Sequence, residues 1–219
     1  MIDEVAVDSG SQTRQRRRRS DGERSRAAIL HESARLATVE GIEGLSLARL
    51  ADAVGMSKSG LFAHFRSKEE LQLATIDTAS SIFTDVVIDP ARTASSGVRR
   101  LTAYAERFLA HVRDSVFPGG CFFASVATEL DTHPGPVRDR AMAMVNGWVA
   151  LLEAEVIAAQ NAGEIDASLD TAQVAFELNA YLFLANTQFV VSGDRLALER
   201  ARRAVASRLA AAGPEASCD

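Results

Sequence analysis

Apolar side chains in this chain recur every three or four residues along Ala-, Leu-, Arg- and Glu-rich stretches, and sustained alternation of apolar with polar residues is scarce. A repeat near 3.6 residues gathers apolar groups on one helix face, whereas a half-buried strand needs a repeat of two, so an all-α fold is expected. With 219 residues, 47% of them hydrophobic, the chain can bury one large core or two small ones. Disordered, collagen-like and fibrous classes are excluded by the same composition.

The formal net charge of −5 conceals an asymmetry. Arg14 to Arg66 carries eleven basic and six acidic side chains, whereas Ser67 to Asp219 carries thirteen basic and twenty acidic. A basic head on an acidic body points to a polyanion met by the head alone; for Arg14 to Arg19 by themselves, a solvated tail without a partner is the competing reading. The two cysteines, Cys121 and Cys218, form neither a disulfide framework nor a CxxC pair, which fits a reducing compartment. The chain starts with Asp3 and Glu4 and no apolar leader, and its longest uncharged run, Leu178 to Gly193, is shorter than the ~20 residues of a spanning helix. A cytoplasmic protein without membrane contact is expected.

Residues 1–19 lack periodicity and read as a mobile Arg-rich arm. Ser20-Asp21-Gly22-Glu23 has the capping-box form and is expected to open the first helix, which Gly41 ends. Ser46 caps a second helix of about two turns, Gly55 supplies a sharp turn, Ser57 caps a short third helix with Leu61 and Phe65 inward and Phe62 at its edge, and Ser67 opens a fourth running to about Ile88. Asp89-Pro90 followed by Thr93 to Gly97 reads as the first break. Longer helices follow from Val98, from Cys121, from Val137 to Ala162, from Thr171 to Ser192, and around Leu198 to Leu209. The expected units are thus the arm 1–19, a three-helix head 20–66, a helical body 67–213 and a tail 214–219.

Two short helices joined by Gly55-Met56-Ser57 in a basic stretch form a helix-turn-helix pattern. The B-DNA major groove admits one α-helix, so the second helix would present Ser57, Lys58, Ser59 and Gly60 to base edges. Lys58 suits guanine O6 or N7, Ser59 donates or accepts, and Gly60 allows close backbone approach.

From Arg26 through Leu71 the chain resembles the tetracycline-repressor (TetR) type of bacterial one-component regulators. Ile29-Leu30, Ala34, Gly41, Leu45-Ser46, Leu50-Ala51 and Val54-Gly55 carry the resemblance, and Ser57-Lys58-Ser59-Gly60-Leu61-Phe62-Ala63-His64-Phe65-Arg66-Ser67-Lys68-Glu69-Glu70-Leu71 carries it most specifically. The resemblance implies phosphate contacts at Ser46 and Lys68, base reading at Lys58 and Ser59, and a backbone contact at His64, which taken alone would be an ordinary surface histidine. Position 62 usually bears Tyr in that family; Phe62 lacks the hydroxyl and with it one neutral contact worth about 0.5–1.5 kcal/mol. Arg16, Arg17, Arg18 and Arg19 can compensate by tracking phosphates or entering a minor groove.

The same resemblance implies a homodimeric repressor on palindromic double-stranded operator DNA, released by a small-molecule effector of unknown identity, with no cofactor and no metal. Phe83, Tyr104, Phe108, Cys121, Phe122, Met144, Trp148, Asn179 and Tyr181 are the expected cavity residues, although aromatic residues at helical spacing are also ordinary core. Thr171 to Ser192 is apolar nearly all round and must be covered, either inside one protomer or by a second copy through Leu178, Leu182, Phe189, Leu198, Val205 and Leu209. The effector would act through the fourth helix, at about 1–3 kcal/mol of coupling.

Three other readings compete. An enzyme would have to use His111, Cys121, Glu129 and His133, which lie on separate segments and form none of HExxH, GxSxG, GxGxxG or a Walker pattern. Nonspecific DNA packaging would rest on Arg14 to Arg19. A redox sensor would rest on Cys121, a lone thiol of the kind that is usually an inert hydrophobe.

Overall fold

The structure, a computed structural model, describes residues 9–130 and 134–214, with side chains from Asp21 onward. The described residues form helices α1 (Ser9–Glu40), α2 (Leu47–Ala53), α3 (Lys58–Phe62) and α4 (Lys68–Phe83), a π-helical turn (Thr84–Ile88), and α5 (Asp89–Ala91). They continue with α6 (Val98–Arg113), α7 (Phe122–Glu129), α8 (Pro136–Asn161), α9 (Thr171–Ser192) and α10 (Leu196–Ala211). The fold is all-α among these residues.

Local chemistry fixes the short helices. Ser46 Oγ accepts from Arg49 N at 3.1 Å, Ser57 Oγ from Gly60 N at 3.1 Å and Ser67 Oγ from Glu70 N at 3.0 Å, each satisfying an N–H that a helix start leaves unpaired. Gly55 takes φ +66°, which a residue without Cβ adopts freely, and so turns α2 sharply toward α3. Five residues are too few to hold a helix in water. Packing supplies the rest: Leu61 and Phe65 are completely buried against Ile29, Leu30, Leu50, Ala51 and Leu71, each worth about 1.5–3 kcal/mol.

A second cluster joins head to body, with Ala34 and Ala37 of α1, Ile42 and Leu45 of the following loop, Ile76 and Ala79 of α4, and Phe117, Phe122 and Val126 around α7. Buried polar ties reinforce it: Ser33 Oγ and Thr75 Oγ1 share a hydrogen bond of 2.8 Å, and Gln72 Nε2 donates to the Ile42 carbonyl at 2.9 Å. The third and largest cluster is the body core, from Phe83 and Val87 through α6, α8, α9 and α10.

Four expectations need correction. The first helix begins at Ser9, not Ser20, so the Ser20-Asp21-Gly22-Glu23 capping box lies inside it and Arg16 to Arg19 stand on helical backbone rather than in a mobile arm. Once residues 29–37 are packed as helix, propagation toward the N-terminus through Arg and Gln costs little, and Asp21 pairs with Arg24 one turn on. The first break comes after Pro90, not at it: the π turn shifts hydrogen bonding so that Asp89 N donates to Thr84 O, helix continues to Ala91, and the chain leaves helix over residues 92–97, which hold the expected Thr93 to Gly97 break.

The proposed dimer residues are the third correction. Leu178, Leu182, Leu198, Val205 and Leu209 are all buried within the protomer, and Phe189 packs against the same core. They form the seam of α9 with α10 and α6, where the bundle packs them in its core. The free stripe of α9 holds Phe176, Phe183, Leu184 and Val191 instead, Val191 being 82% exposed. Finally, Lys68–Ala91, Pro136–Asn161 and Thr171–Ser192 are long and apolar enough, by length and composition, to cross a membrane. An uncharged run is a stricter criterion, since a long helix stays apolar on average with one or two charges in it.

Candidate functional site

The turn between α2 and α3 presents a set of exposed polar groups on a rigid base. Ser57, Lys58 and Ser59 are exposed at the start of α3, Phe62 is 54% exposed at its end, and Arg66, Ser67 and Lys68 are exposed at the entrance to α4. Among the described residues Lys58 and Arg66 make no ion pair. Ser57 Oγ also shares a 3.1 Å hydrogen bond with Ser59 Oγ, and a Cβ at Gly60 would lie 3.2 Å from Ser57 Oγ, so the absence of a side chain there preserves the cap as well as an open surface.

Arg26 of α1 anchors this base from behind. Its Nη1 donates to the His64 carbonyl at 2.7 Å, its guanidinium lies 4.3 Å from the Phe65 ring centre, and Glu70 is 3.8 Å away. His64 is half-buried just beyond α3, and Lys68 Nζ donates to the Glu43 carbonyl at 2.5 Å, bridging α4 to the loop before α2. Ser46 is exposed while its oxygen caps α2.

The surface can accept phosphates and base edges while Arg26, Leu61 and Phe65 hold it still. The description "Bacterial regulatory proteins, tetR family" fits residues 29–75, and "Tetracyclin repressor-like, C-terminal domain" fits residues 97–205. The chain belongs to the TetR family of transcriptional regulators. Solved TetR-family regulators share the fold. One from Chloroflexus aurantiacus J-10-fl is 24% identical over 87% of this chain and 96% of its own, with a TM-score of 0.81. One from Cytophaga hutchinsonii is 20% identical over 90% and 98%, with a TM-score of 0.79. AibR, solved with isovaleryl coenzyme A and operator DNA, is 26% identical over 82% and 94%, with a TM-score of 0.67. No curated protein sequence matches the chain.

The body of this TetR regulator contains a cavity of about 220 Å³ between α4, the π turn, α6, α7, α8 and α9. Of the residues expected there from the sequence, Phe83, Phe108, Cys121, Met144, Trp148 and Asn179 line it. Tyr104, Phe122 and Tyr181 do not: Tyr104 is buried behind Trp148, its ring centre 5.7 Å away, Phe122 belongs to the head–body junction, and Tyr181 packs on the body core. Ser80, Thr84, Ile88, Phe123, Ala124, Ala127, Ala143, Val145, Gly147 and Phe183 complete the wall and were not anticipated. Small residues at 143 and 147, one turn apart on α8, were the one available sequence signal.

Burial favours the neutral form of Cys121 and of His111. Burial pushes the Cys121 thiol up to about 11 and the His111 imidazole down to about 4. His111 lies edge-on to Phe83 and Phe117 at 5.8 and 5.7 Å, and neither ring nitrogen has a partner among the described residues. Glu129 faces the head: its carboxylate accepts from Ile42 N at 2.8 Å and Glu43 N at 2.7 Å. Among the described residues His111, Cys121 and Glu129 form no cluster of metal-ligating groups, and His133 lies outside the described residues. The side chains of Arg16, Arg17, Arg18 and Arg19 likewise lie outside them.

Proposed function

We propose that this TetR regulator binds near-palindromic double-stranded operator DNA as a homodimer in the cytoplasm, represses transcription, and is released when a small effector enters the body cavity. The observation that carries the reading is α3 itself: a capped helix of five residues with Leu61 and Phe65 locked beneath it and Lys58, Ser59 and Phe62 facing outward. Ser57, Lys58 and Ser59 meet base edges, with Lys58 and Ser59 reading them; Ser46 and Lys68 hold phosphates; Gly60 permits close approach and His64 abuts the backbone. The helical Arg16 to Arg19 segment adds salt-sensitive phosphate attraction.

The exposed apolar stripe of α9 is a surface suited to a second copy, since contiguous exposed apolar groups mark interaction sites. Phe183 belongs both to that stripe and to the cavity wall, so assembly and effector binding share a side chain. AibR's isovaleryl coenzyme A and operator DNA are a precedent for pairing these two kinds of ligand in one member of the family. The head then comprises residues 20–66 and the body 67–213, joined through α1 and α4.

Footprinting on DNA flanking the regulator's own gene, followed by titration of the protected duplex, tests the reading. Lys58→Ala is expected to relax base preference by about 1–3 kcal/mol, whereas Lys68→Ala weakens all sequences alike. Equal losses for both, or uniform affinity for every duplex with a steep salt dependence, would replace operator recognition by nonspecific packaging.

A further inference from the structure

The chemistry of the cavity wall narrows what can bind there, and the argument rests on the effector reading above. None of its sixteen lining residues is Lys, Arg, His, Asp or Glu. The aromatic side contacts itself: Phe83 meets Trp148, Phe123 and Phe108 edge-on at 5.3, 6.1 and 6.3 Å, and Trp148 stacks with Phe108 at 6.2 Å with 22° between the planes. Of the polar groups, Ser80 Oγ donates to Met144 Sδ at 3.1 Å and Trp148 Nε1 to Asn179 Oδ1 at 3.1 Å. The Thr84 hydroxyl and the Asn179 amide N–H donate to nothing among the described residues, which leaves two hydrogen-bonding groups facing an otherwise apolar space.

A carboxylate or phosphate entering this space gives up its hydration with no cation to replace it. An ammonium group finds no carboxylate, and ring faces that would attract it are already turned on one another. Filled at the density of a protein interior, about 0.74, a volume of about 220 Å³ holds roughly ten to twelve non-hydrogen atoms.

We propose that the effector is an uncharged, mainly apolar molecule of that size, bearing one hydroxyl or carbonyl that bonds to Thr84 and Asn179. Effectors that would have to bury an anionic group among these residues are thereby disfavoured for this regulator. Trp148 is the only tryptophan in the chain, so a single indole N–H resonance reports on the cavity.

Naphthalenemethanol, naphthoate and naphthylmethylammonium form a matched series of neutral, anionic and cationic probes. Calorimetry on the full chain is expected to show the alcohol binding at least about tenfold more tightly than either ion. Only the alcohol should shift the Trp148 indole resonance at sub-millimolar concentration. Ala127→Leu, which fills the wall, should abolish that shift with helix content unchanged by circular dichroism, and Thr84→Val should weaken the alcohol while leaving unsubstituted naphthalene unaffected. Equal or tighter binding of either ion, saturable and sensitive to Ala127→Leu, overturns the neutral class and leaves the cavity as effector site. If none of the probes binds, naphthalene included, both the class and the effector reading of this cavity fall.

Discussion

Removing the Glu129 carboxylate should loosen the head from the body. Glu129 sits at the end of α7, which also contributes Phe123, Ala124 and Ala127 to the cavity, and its two oxygens receive successive N–H groups of Ile42 and Glu43 just past the end of α1. That loop leads directly to the Ser46 cap of α2. A hydrogen bond to a charged acceptor contributes about 1.5–3 kcal/mol when shielded. The Ile42 bond is partly buried and the Glu43 bond exposed, so the second is discounted and Glu129→Ala should cost about 2–3 kcal/mol in all. Glu129→Gln keeps one acceptor oxygen and should cost about half as much. A Cβ at Gly41 would lie 2.6 Å from Glu129 Oε1, and φ there is +81°, so Gly41→Ala should displace the same carboxylate and add backbone strain. Urea unfolding measures the stability loss, and native-state amide exchange locates it: Ile42 and Glu43 should lose protection while Leu61 and Phe65 keep theirs relative to the global limit. If Glu129→Ala unfolds at the wild-type midpoint and both amides remain protected, water replaces the carboxylate at no cost and the clamp has no energetic meaning.

Acid should destabilise the protein through His111. Its folded value of about 4 lies below the ordinary 6.5, so stability is fully present above about pH 6.5 and is lost as pH falls toward 4, by up to about 3 kcal/mol. His111→Leu should flatten that part of the pH–stability curve; an unchanged slope would assign it to other groups. Ser57→Ala removes the cap of the recognition helix and should cost about 1 kcal/mol in thermal unfolding together with measurable operator affinity, and a variant equal to wild type in both would show the cap to be dispensable. Burial alone would raise the Glu155 carboxyl, but Ser96 Oγ, Gly97 N and Arg100 hold it below the usual range, and Glu155→Leu should leave Arg100 half-buried and unpaired at a cost of about 3–5 kcal/mol. Val191→Lys with Phe183→Asp should convert a dimer into monomers in sedimentation, and persistence of the dimer would move the interface off the α9 stripe.

The head was legible from the residues because its determinants are local. A serine oxygen reaches an N–H three residues on and a glycine sets its own φ, so Ser46, Ser57, Ser67 and Gly55 mark where α2, α3, α4 and their turn begin, while packing of Leu61 and Phe65 on α1 and α4 holds them. The body was legible only as helices. Neighbouring residues on a helix point about 100° apart, so whether Phe122 or Phe123 enters the cavity depends on how α7 is rotated, and that rotation is set by α1, α8 and α9 together. The same holds for α9, apolar all round: nothing in its composition distinguishes Leu178 and Leu182, which are buried in the body core, from Phe176 and Val191, which stay exposed among the described residues. Nor does any spacing link Glu129 to Ile42 and Glu43, because that contact exists only once α7 has docked beside the end of α1. Short-range hydrogen bonding made the nucleic-acid surface readable one residue at a time; cavity, clamp and free stripe arise where distant helices meet, and only their packing decides them.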